Sequence, residues 1–248
     1  MLKAAYLNEL EKLVCRKKYV VFLVLDLVFC LLTAVAQLLA EIFAKGVVST
    51  FSLFDGMLLN GFTFYSMVFL PFILLMGCTD LFSGEYHDLS IRMVFQRPVA
   101  RWKLFLAKNA AIFTVVLAYM AVHFVFLVVI KAVFGQTFAG TFYALAAYLI
   151  DILPLLVVLF FFAFIHQLVR SSGSAVALSV VAYLVIFFIG RYVSFASGLV
   201  FTEFIGWHSL WLGVMLPLPV LLPKIGIVLG TAIILYCAAY ELFQRKEI

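Results

Sequence analysis

The sequence predicts an all-α, polytopic membrane protein with six transmembrane helices, and two observations lead to this prediction. First, 67% of the 248 residues are hydrophobic and only 12% are charged, whereas a soluble domain has about half its residues apolar and about a quarter charged. Second, the apolar residues fall into runs of roughly 20, the length that crosses a bilayer as a helix. We therefore expect a single transmembrane domain over residues 1–248.

Six apolar runs are long enough to span a bilayer. They occupy residues 19–40, 57–79, 104–134, 141–169, 175–193 and 225–242. The third and fourth runs are longer than the hydrocarbon thickness requires, which predicts helices that tilt or extend beyond the lipid.

The apolar stretch between the fifth and sixth runs, within residues 196–224, fits a span poorly. It contains Glu203, Gly206 and His208, and three prolines: Pro217, Pro219 and Pro223. Each proline removes a backbone donor, and broken backbone at membrane depth must be satisfied by protein or water. We expect short extracellular or re-entrant helices here. The alternative, a seventh span, would put the two termini on opposite sides of the membrane.

The basic residues predict the orientation of the chain. With six spans and both termini inside, only four of the seventeen Lys and Arg residues lie outside: Lys45, Lys131, Arg191 and Lys224. Because cytoplasmic segments carry an excess of Lys and Arg, we expect both termini and the loop over residues 80–103 to be cytosolic. No basic, aromatic-interleaved soluble surface exists that could bind nucleic acid.

An amphipathic helix is predicted at residues 1–18, before the first span. Its apolar stripe consists of Leu2, Tyr6, Leu10 and Leu13, and its polar faces carry Glu9, Lys12, Arg16 and Lys17. A helix of this kind lies in the membrane interface, with its basic residues near anionic head groups.

The loop over residues 80–103 also contains a helical pattern, from residue 81 to residue 95. One face carries Phe82, Tyr86, Leu89 and Met93, and another carries Glu85, Asp88 and Arg92. Asp88 and Arg92 have the i,i+4 spacing of an ion pair, and Pro98 suits the first turn of the next helix. The pattern favours a short amphipathic helix with its side chains offered to the cytosol. The alternative is a solvated connector.

The motifs of this loop resemble those of a known family. They are Gly84-Glu85-Tyr86, Leu89-Ser90-Ile91, Arg97-Pro98-Val99-Ala100-Arg101 and Lys108, together with the basic tail Phe243-Gln244-Arg245-Lys246-Glu247-Ile248. The chain is similar to the type-2 ABC exporter permeases, especially the bacterial branch around bacitracin-resistance and lantibiotic-immunity permeases. It departs from that pattern where Leu89-Ser90 replaces Gly-Thr and where Glu247 replaces Asp.

The resemblance implies a non-catalytic permease subunit of an ATP-driven exporter in the bacterial cell membrane. It implies a second permease subunit, identical or different, and separate cytosolic ATPase subunits that bind ATP and magnesium, since this chain has no phosphate-binding Gly-x-x-x-x-Gly-Lys-Ser/Thr motif. The cargo would be amphipathic or hydrophobic, such as an antimicrobial peptide or a drug. The residues implied in coupling to the ATPase are Glu85, Tyr86, Asp88, Leu89, Arg92, Arg97 and Arg101.

Ionisable residues within the spans are candidates for function because they are costly to insert. Those that we expect at a translocation pathway or a subunit interface are Asp26, His123 and Asp151, the last with the nearby Pro154. The alternative for both aspartates is a structural pair with a neighbouring helix. We expect Arg191 to reach the outer head groups or to pair with Glu203. The four cysteines show no metal-ligand spacing, and no metal site or cofactor is predicted.

Two other classes of function fit the composition. Phe162 and His166 match one element of an intramembrane protease family, but the Glu-Glu pair that such an enzyme needs is missing from the sequence. A secondary transporter working without an ATPase would be expected to show inverted repeats and paired broken helices, which are not found.

Overall fold

A computed structural model describes residues 2–44, 57–88, 99–135, 138, 140–169, 171–193, 195, 198–211 and 217–245. Within these ranges every regular element is helical. The main helices are α1 (Leu2–Val14), α2 (Lys17–Ala44), α3 (Phe62–His87), α4 (Arg101–Val133), α5 (Thr141–Leu168), α6 (Ser172–Tyr192), α7 (His208–Trp211) and α8 (Leu218–Arg245).

Six of these helices, α2 to α6 and α8, are long and apolar enough to cross a membrane. This number confirms the predicted polytopic, all-α fold for the part of the chain that the structure describes. The largest differences from the predicted bounds are at the end of the second span, which continues to His87, and at the start of the sixth, which begins at Leu218.

The early start of α8 corrects the expectation for the prolines. Pro219 lies in the first turn, where its missing N–H would have no partner in any case. Pro223 lies inside the helix, where it removes one backbone hydrogen bond without ending the helix. The preceding segment forms a 3₁₀ helix, Phe201–Phe204, and the single turn of α7. Neither is long enough to span, so the prediction of short helices before the last span is confirmed.

The second half of α5 forms the centre of the bundle. Its residues Leu155, Val158, Leu159 and Phe162 are buried among α3, α6 and α8. In the most apolar stretch of α5, 61% of residues are buried, whereas only 17% are buried in the matching stretches of α6 and α8. The outer helices therefore leave broad apolar faces available to lipid or to another subunit.

Two π-helical segments interrupt α3, Tyr65–Phe69 and Thr79–Ser83. In the second, the N–H of Gly84 donates to the carbonyl of Thr79, five residues earlier. A Cβ on Gly84 would lie only 2.9 Å from that oxygen, so a side chain there would disturb the turn. Such segments are frequent at functional sites, and Glu85 lies two residues after the end of this one.

The helix predicted over residues 81–95 is not a separate element in its first half. Residues 81–87 continue the second span, and residues 89–98 lie outside the described residues. The side chain of Asp88 is exposed as expected, but Glu85 is 6% exposed and points into the bundle. The expectation that Glu85 is offered to the cytosol is therefore wrong, because lysines on two other helices pair with it, one of them fully buried.

Candidate functional site

Four charged residues from three helices meet beside the end of α3, and we call them the ion cluster: Glu9, Lys12, Glu85 and Lys108. The Nζ of Lys108 donates to Glu85 Oε2 at 2.7 Å, to Glu9 Oε2 at 3.1 Å and to the carbonyl of Leu81 at 2.9 Å. The Nζ of Lys12 donates to Glu9 Oε1 and Glu85 Oε1, each at 2.8 Å. Each carboxylate thus bridges both ammonium groups, and the four charges balance.

The ion cluster is buried although it is made of charges. Lys108 is fully buried, Glu9 is 1% exposed, and only the side chain of Lys12 reaches solvent, at 33%. The prediction that Glu9 lies on a polar face of α1 is therefore wrong. The predicted apolar stripe of that helix packs on the core through Leu10 and Leu13, and Tyr6 forms a 2.9 Å hydrogen bond with Thr114.

The charges of the cluster shift the pKa values of its α1 members. Burial alone would raise the pKa of Glu9, but the ammonium groups of Lys108 and Lys12 outweigh burial and hold that pKa below its ordinary value. Burial alone would lower the pKa of Lys12, but its hydrogen bonds to Glu85 and Glu9 outweigh this and raise it. Both shifts favour the charged forms, as expected for buried ions that are fully paired.

A second set of polar contacts fastens the same end of α3 to the junction of α1 and α2. Asp80 accepts hydrogen bonds from Arg16 Nη1 at 2.5 Å, from Lys18 Nζ at 2.6 Å and from the hydroxyl of Tyr19 at 2.8 Å. Asp80 is 5% exposed. The end of α3 is thus held at two points, by Asp80 and by Glu85.

The structure brings together only some of the predicted coupling residues. Tyr86 is half-buried against the core, and Asp88 is exposed. Arg101 begins α4 and donates to the carbonyl of Gln244, at the end of α8. The remaining three, Leu89, Arg92 and Arg97, lie outside the described residues.

Asp26, predicted at a pathway or an interface, lies within the bundle in a group that we call the intramembrane triad: Asp26, Cys30 and His123. Nδ1 of His123 lies 2.8 Å from Asp26 Oδ1 and 3.2 Å from Cys30 Sγ. All three side chains are at most 1% exposed. The pairing of Asp26 with a neighbouring helix agrees with the structural alternative. Sequence spacing missed the triad because His123 is 93 residues from Cys30.

Asp151 makes the structural pair that was the alternative to a pathway role. It ends the first half of α5 and accepts from His208, from the backbone N–H at 3.0 Å and from Nδ1 at 2.7 Å. The indole Nε1 of Trp207 donates to the carbonyl of Ile150 at 2.8 Å. Pro154 lies in the first turn of the second half, after the predicted interruption. The segment before α8 therefore packs into the bundle, which favours the re-entrant form.

Arg191 was expected to reach the outer head groups or to pair with Glu203, and both residues line one cavity of about 570 Å³ together with Lys224. Glu203 packs against Gly190, where an added Cβ would lie 3.0 Å from Glu203 Cγ. His166 is buried and interacts with Thr79 Oγ1 at 3.0 Å, which connects α5 to the second π-helical segment of α3.

Comparison with known proteins identifies the family. The family model described as ABC-2 family transporter protein matches residues 7–190, most of the chain. A search of curated proteins finds no match. The matched region contains the ion cluster, the intramembrane triad, four complete spans and the fifth span up to Gly190. The chain belongs to the ABC-2 transporter family and is a membrane permease component of an ABC transporter.

Proposed function

We propose that this chain is the permease subunit of an ATP-driven exporter of the bacitracin-resistance and lantibiotic-immunity branch. It pairs with a second permease and with separate ATPase subunits, which bind ATP and magnesium. It moves an amphipathic or hydrophobic molecule such as an antimicrobial peptide or a drug. The family match and the loop motifs support this proposal.

The ion cluster is the observation that carries the proposal. The segment that continues α3 beyond Gly84 is the one expected to contact an ATPase. Its first charged side chain, Glu85, pairs with Lys12 of α1 and Lys108 of α4. Removing one partner of a buried ion pair typically costs about 3–5 kcal/mol. A displacement of this segment is therefore transmitted to α1 and α4 more easily than it breaks the contacts.

The same end of the bundle supports the proposed orientation of the chain. Asp80 and the ion cluster gather four basic residues there, Lys12, Arg16, Lys18 and Lys108. An excess of such residues is typical of the cytosolic side. A cysteine placed at Asp88, which is exposed, should resist a membrane-impermeant label in intact cells and react after lysis. Labelling in intact cells would contradict the proposed orientation.

The apolar faces of α2, α6 and α8 support both a second subunit and an apolar cargo. Among the residues exposed on them are Val24, Leu32, Val181, Phe188 and Ile233. A pathway formed between two subunits with such faces would be lined by apolar side chains and would suit an amphipathic molecule.

The test is the hydrolysis of ATP by the complex that co-purifies with a tagged permease. Tyr86→Asp and Asp88→Lys each alter the segment proposed to face the ATPase and replace no member of the ion cluster. Both variants should insert normally, and substrate-stimulated ATP hydrolysis should fall at least fivefold. Glu11→Lys is the matched control, because Glu11 is also an exposed acid but lies on α1.

Two results would contradict the proposal. If the variants bind the ATPase and are stimulated by substrate as the wild type is, residues 80–103 are a solvated connector. A purified permease that transports with no ATPase present would instead indicate the secondary transporter.

A further inference from the structure

The intramembrane triad has the geometry of a ligand set. Asp26 and Cys30 are four residues apart on α2, so both project from one face of the helix, and His123 approaches them from α4. One oxygen, one sulfur and one nitrogen lie within 4.8 Å of one another. The three atoms therefore surround a common point between the two spans.

The hydrogen bonds of the triad are incomplete without a further group. Nδ1 of His123 faces both Asp26 Oδ1 and Cys30 Sγ, but it has either one proton or one lone pair. It can make a normal two-centre hydrogen bond to only one of them. Asp26 Oδ2 is buried and, within the described part of the chain, has no hydrogen-bond partner. Buried polar atoms are rarely left in this state.

No lysine or arginine compensates the charge of Asp26 among the described side chains. Asp26 lies nine residues after Lys17, roughly 14 Å along the helix at its usual rise, and is fully buried. Among the described side chains, its ion-pair contact is with His123, and it pairs with no lysine or arginine. A buried carboxylate ordinarily has a cation beside it or coordinates a metal.

We propose that Asp26, Cys30 and His123 bind a divalent transition-metal ion of the zinc type. A thiolate, an imidazole and a carboxylate form a ligand set that suits zinc and related ions, and they exclude magnesium and calcium, which take oxygen ligands. The metal takes the lone pair of His123 Nδ1, the thiolate of Cys30 and a carboxylate oxygen of Asp26. Cys30 and Asp26 bind the metal in their deprotonated forms and release any protons that they carry. Their two negative charges balance the two positive charges of the ion, so the loaded site is neutral apart from its fourth ligand.

The distance between Cys30 Sγ and His123 Nδ1 needs little adjustment for this metal. With Zn–S near 2.3 Å and Zn–N near 2.0 Å, a tetrahedral site separates sulfur from nitrogen by about 3.5 Å. The present separation is 3.2 Å. The ring of His123 is held in place because Tyr65 stacks on it with 3.8 Å between ring centres. Three protein ligands leave a fourth position for water or another group.

The first test is the metal content of the purified permease, produced in cells supplied with zinc and then washed with chelator. We expect about one zinc per chain in the wild type. Asp26→Asn, Cys30→Ser and His123→Gln should each lower that content at least tenfold. The matched controls are Cys78→Ser and His166→Gln, because these residues are also a buried thiol and a buried imidazole but lie outside the triad.

The second test begins with a spectrum of the wild-type protein, which does not depend on how well a variant folds. Protein produced with cobalt in place of zinc should show thiolate-to-cobalt charge-transfer absorption, and Cys30→Ser should remove this band while Cys78→Ser keeps it. A wild type that contains neither zinc nor cobalt would overturn the proposal. Equal metal content in the wild type and Cys30→Ser would overturn it as well.

Discussion

The ion cluster and the intramembrane triad are both buried polar groups between helices, but among the described residues only the first is complete. In the ion cluster, two carboxylates meet two ammonium groups, and all four carboxylate oxygens accept hydrogen bonds. In the triad, one carboxylate meets an imidazole and a thiol, and one of its oxygens has no partner among the described residues. Balanced charges can hold helices together, whereas the buried carboxylate oxygen of Asp26 without a partner supports the proposed metal site.

The largest effect should follow from Lys108→Met, which breaks the ion cluster at its centre. The substitution leaves Glu9 and Glu85 buried side by side with only Lys12 between them. We expect the free energy of unfolding in detergent to fall by about 3–5 kcal/mol. Lys3→Met is the control, because Lys3 is exposed on α1 and should change stability by at most about 0.5 kcal/mol. Equal effects of the two substitutions would contradict the role given to the cluster.

A smaller effect should follow from Lys12→Met. Lys12 is 33% exposed and shares both carboxylates with Lys108, so each carboxylate keeps one buried partner. We expect a loss of about 1.5–3 kcal/mol, the range for hydrogen bonds to charged groups. A double-mutant cycle with Lys108→Met should show non-additivity, because the two lysines share partners. Simple additivity would indicate two independent ion pairs.

Asp26→Asn separates the two kinds of cluster. In metal-free protein it removes a buried charge that has no lysine or arginine partner in the described structure, and it keeps an oxygen that can accept from His123. We expect stability to change by less than about 1 kcal/mol, measured by thermal unfolding with chelator present. The loss of stability should be clearly larger when zinc is present, because aspartate binds the ion tightly and asparagine does not. A loss as large as that of Lys108→Met without metal would show that the two clusters are alike.

The smallest effect is the pH dependence of the docking of α1. Since the pKa of Glu9 is lowered from its ordinary 4.5, its stabilisation is present above pH 4.5 and is lost as the pH falls through the folded value. Since the pKa of Lys12 is raised from 10.5, its stabilisation is present below pH 10.5 and is lost as the pH rises through the folded value. A spin label at Leu7 should be immobile between these limits and become mobile beyond them.

The Lys12→Met variant is the control for this pH profile. It should abolish the alkaline loss of immobility, because the titrating ammonium group is removed, and it should keep the acid loss that belongs to Glu9. An unchanged alkaline transition would show that Lys12 does not hold α1.

The sequence predicted the spans well because a run of about 20 apolar residues is typical of a transmembrane helix. It also predicted the break near Asp151 and the failure of the segment before α8 to span. The sequence could not predict that Glu9 and Glu85 turn inward. Helical periodicity places both on polar faces, and their common partner Lys108 is 99 and 23 residues away.

The pairs within the membrane were hidden for the same reason. Asp151 and His208 are 57 residues apart, and nothing in local periodicity joins them. Cys30 could have been noticed from its i,i+4 spacing to Asp26, but His123 comes close only through the packing of α4 on α2. Side-chain partners across helices depend on tertiary packing, which composition and spacing do not encode.

The most direct test of the central claim is a pair of distances in the complex with its ATPase, measured between spin labels with and without ATP. The claim is that α1 and the segment from Gly84 move as one body because the ion cluster joins them. Labels at Leu7 and Asp88 should keep the same separation in both states, while the separation between labels at Asp88 and Glu241 changes. If the distance from Leu7 to Asp88 changes as much as the distance from Asp88 to Glu241, the ion cluster does not transmit the motion and the account is contradicted.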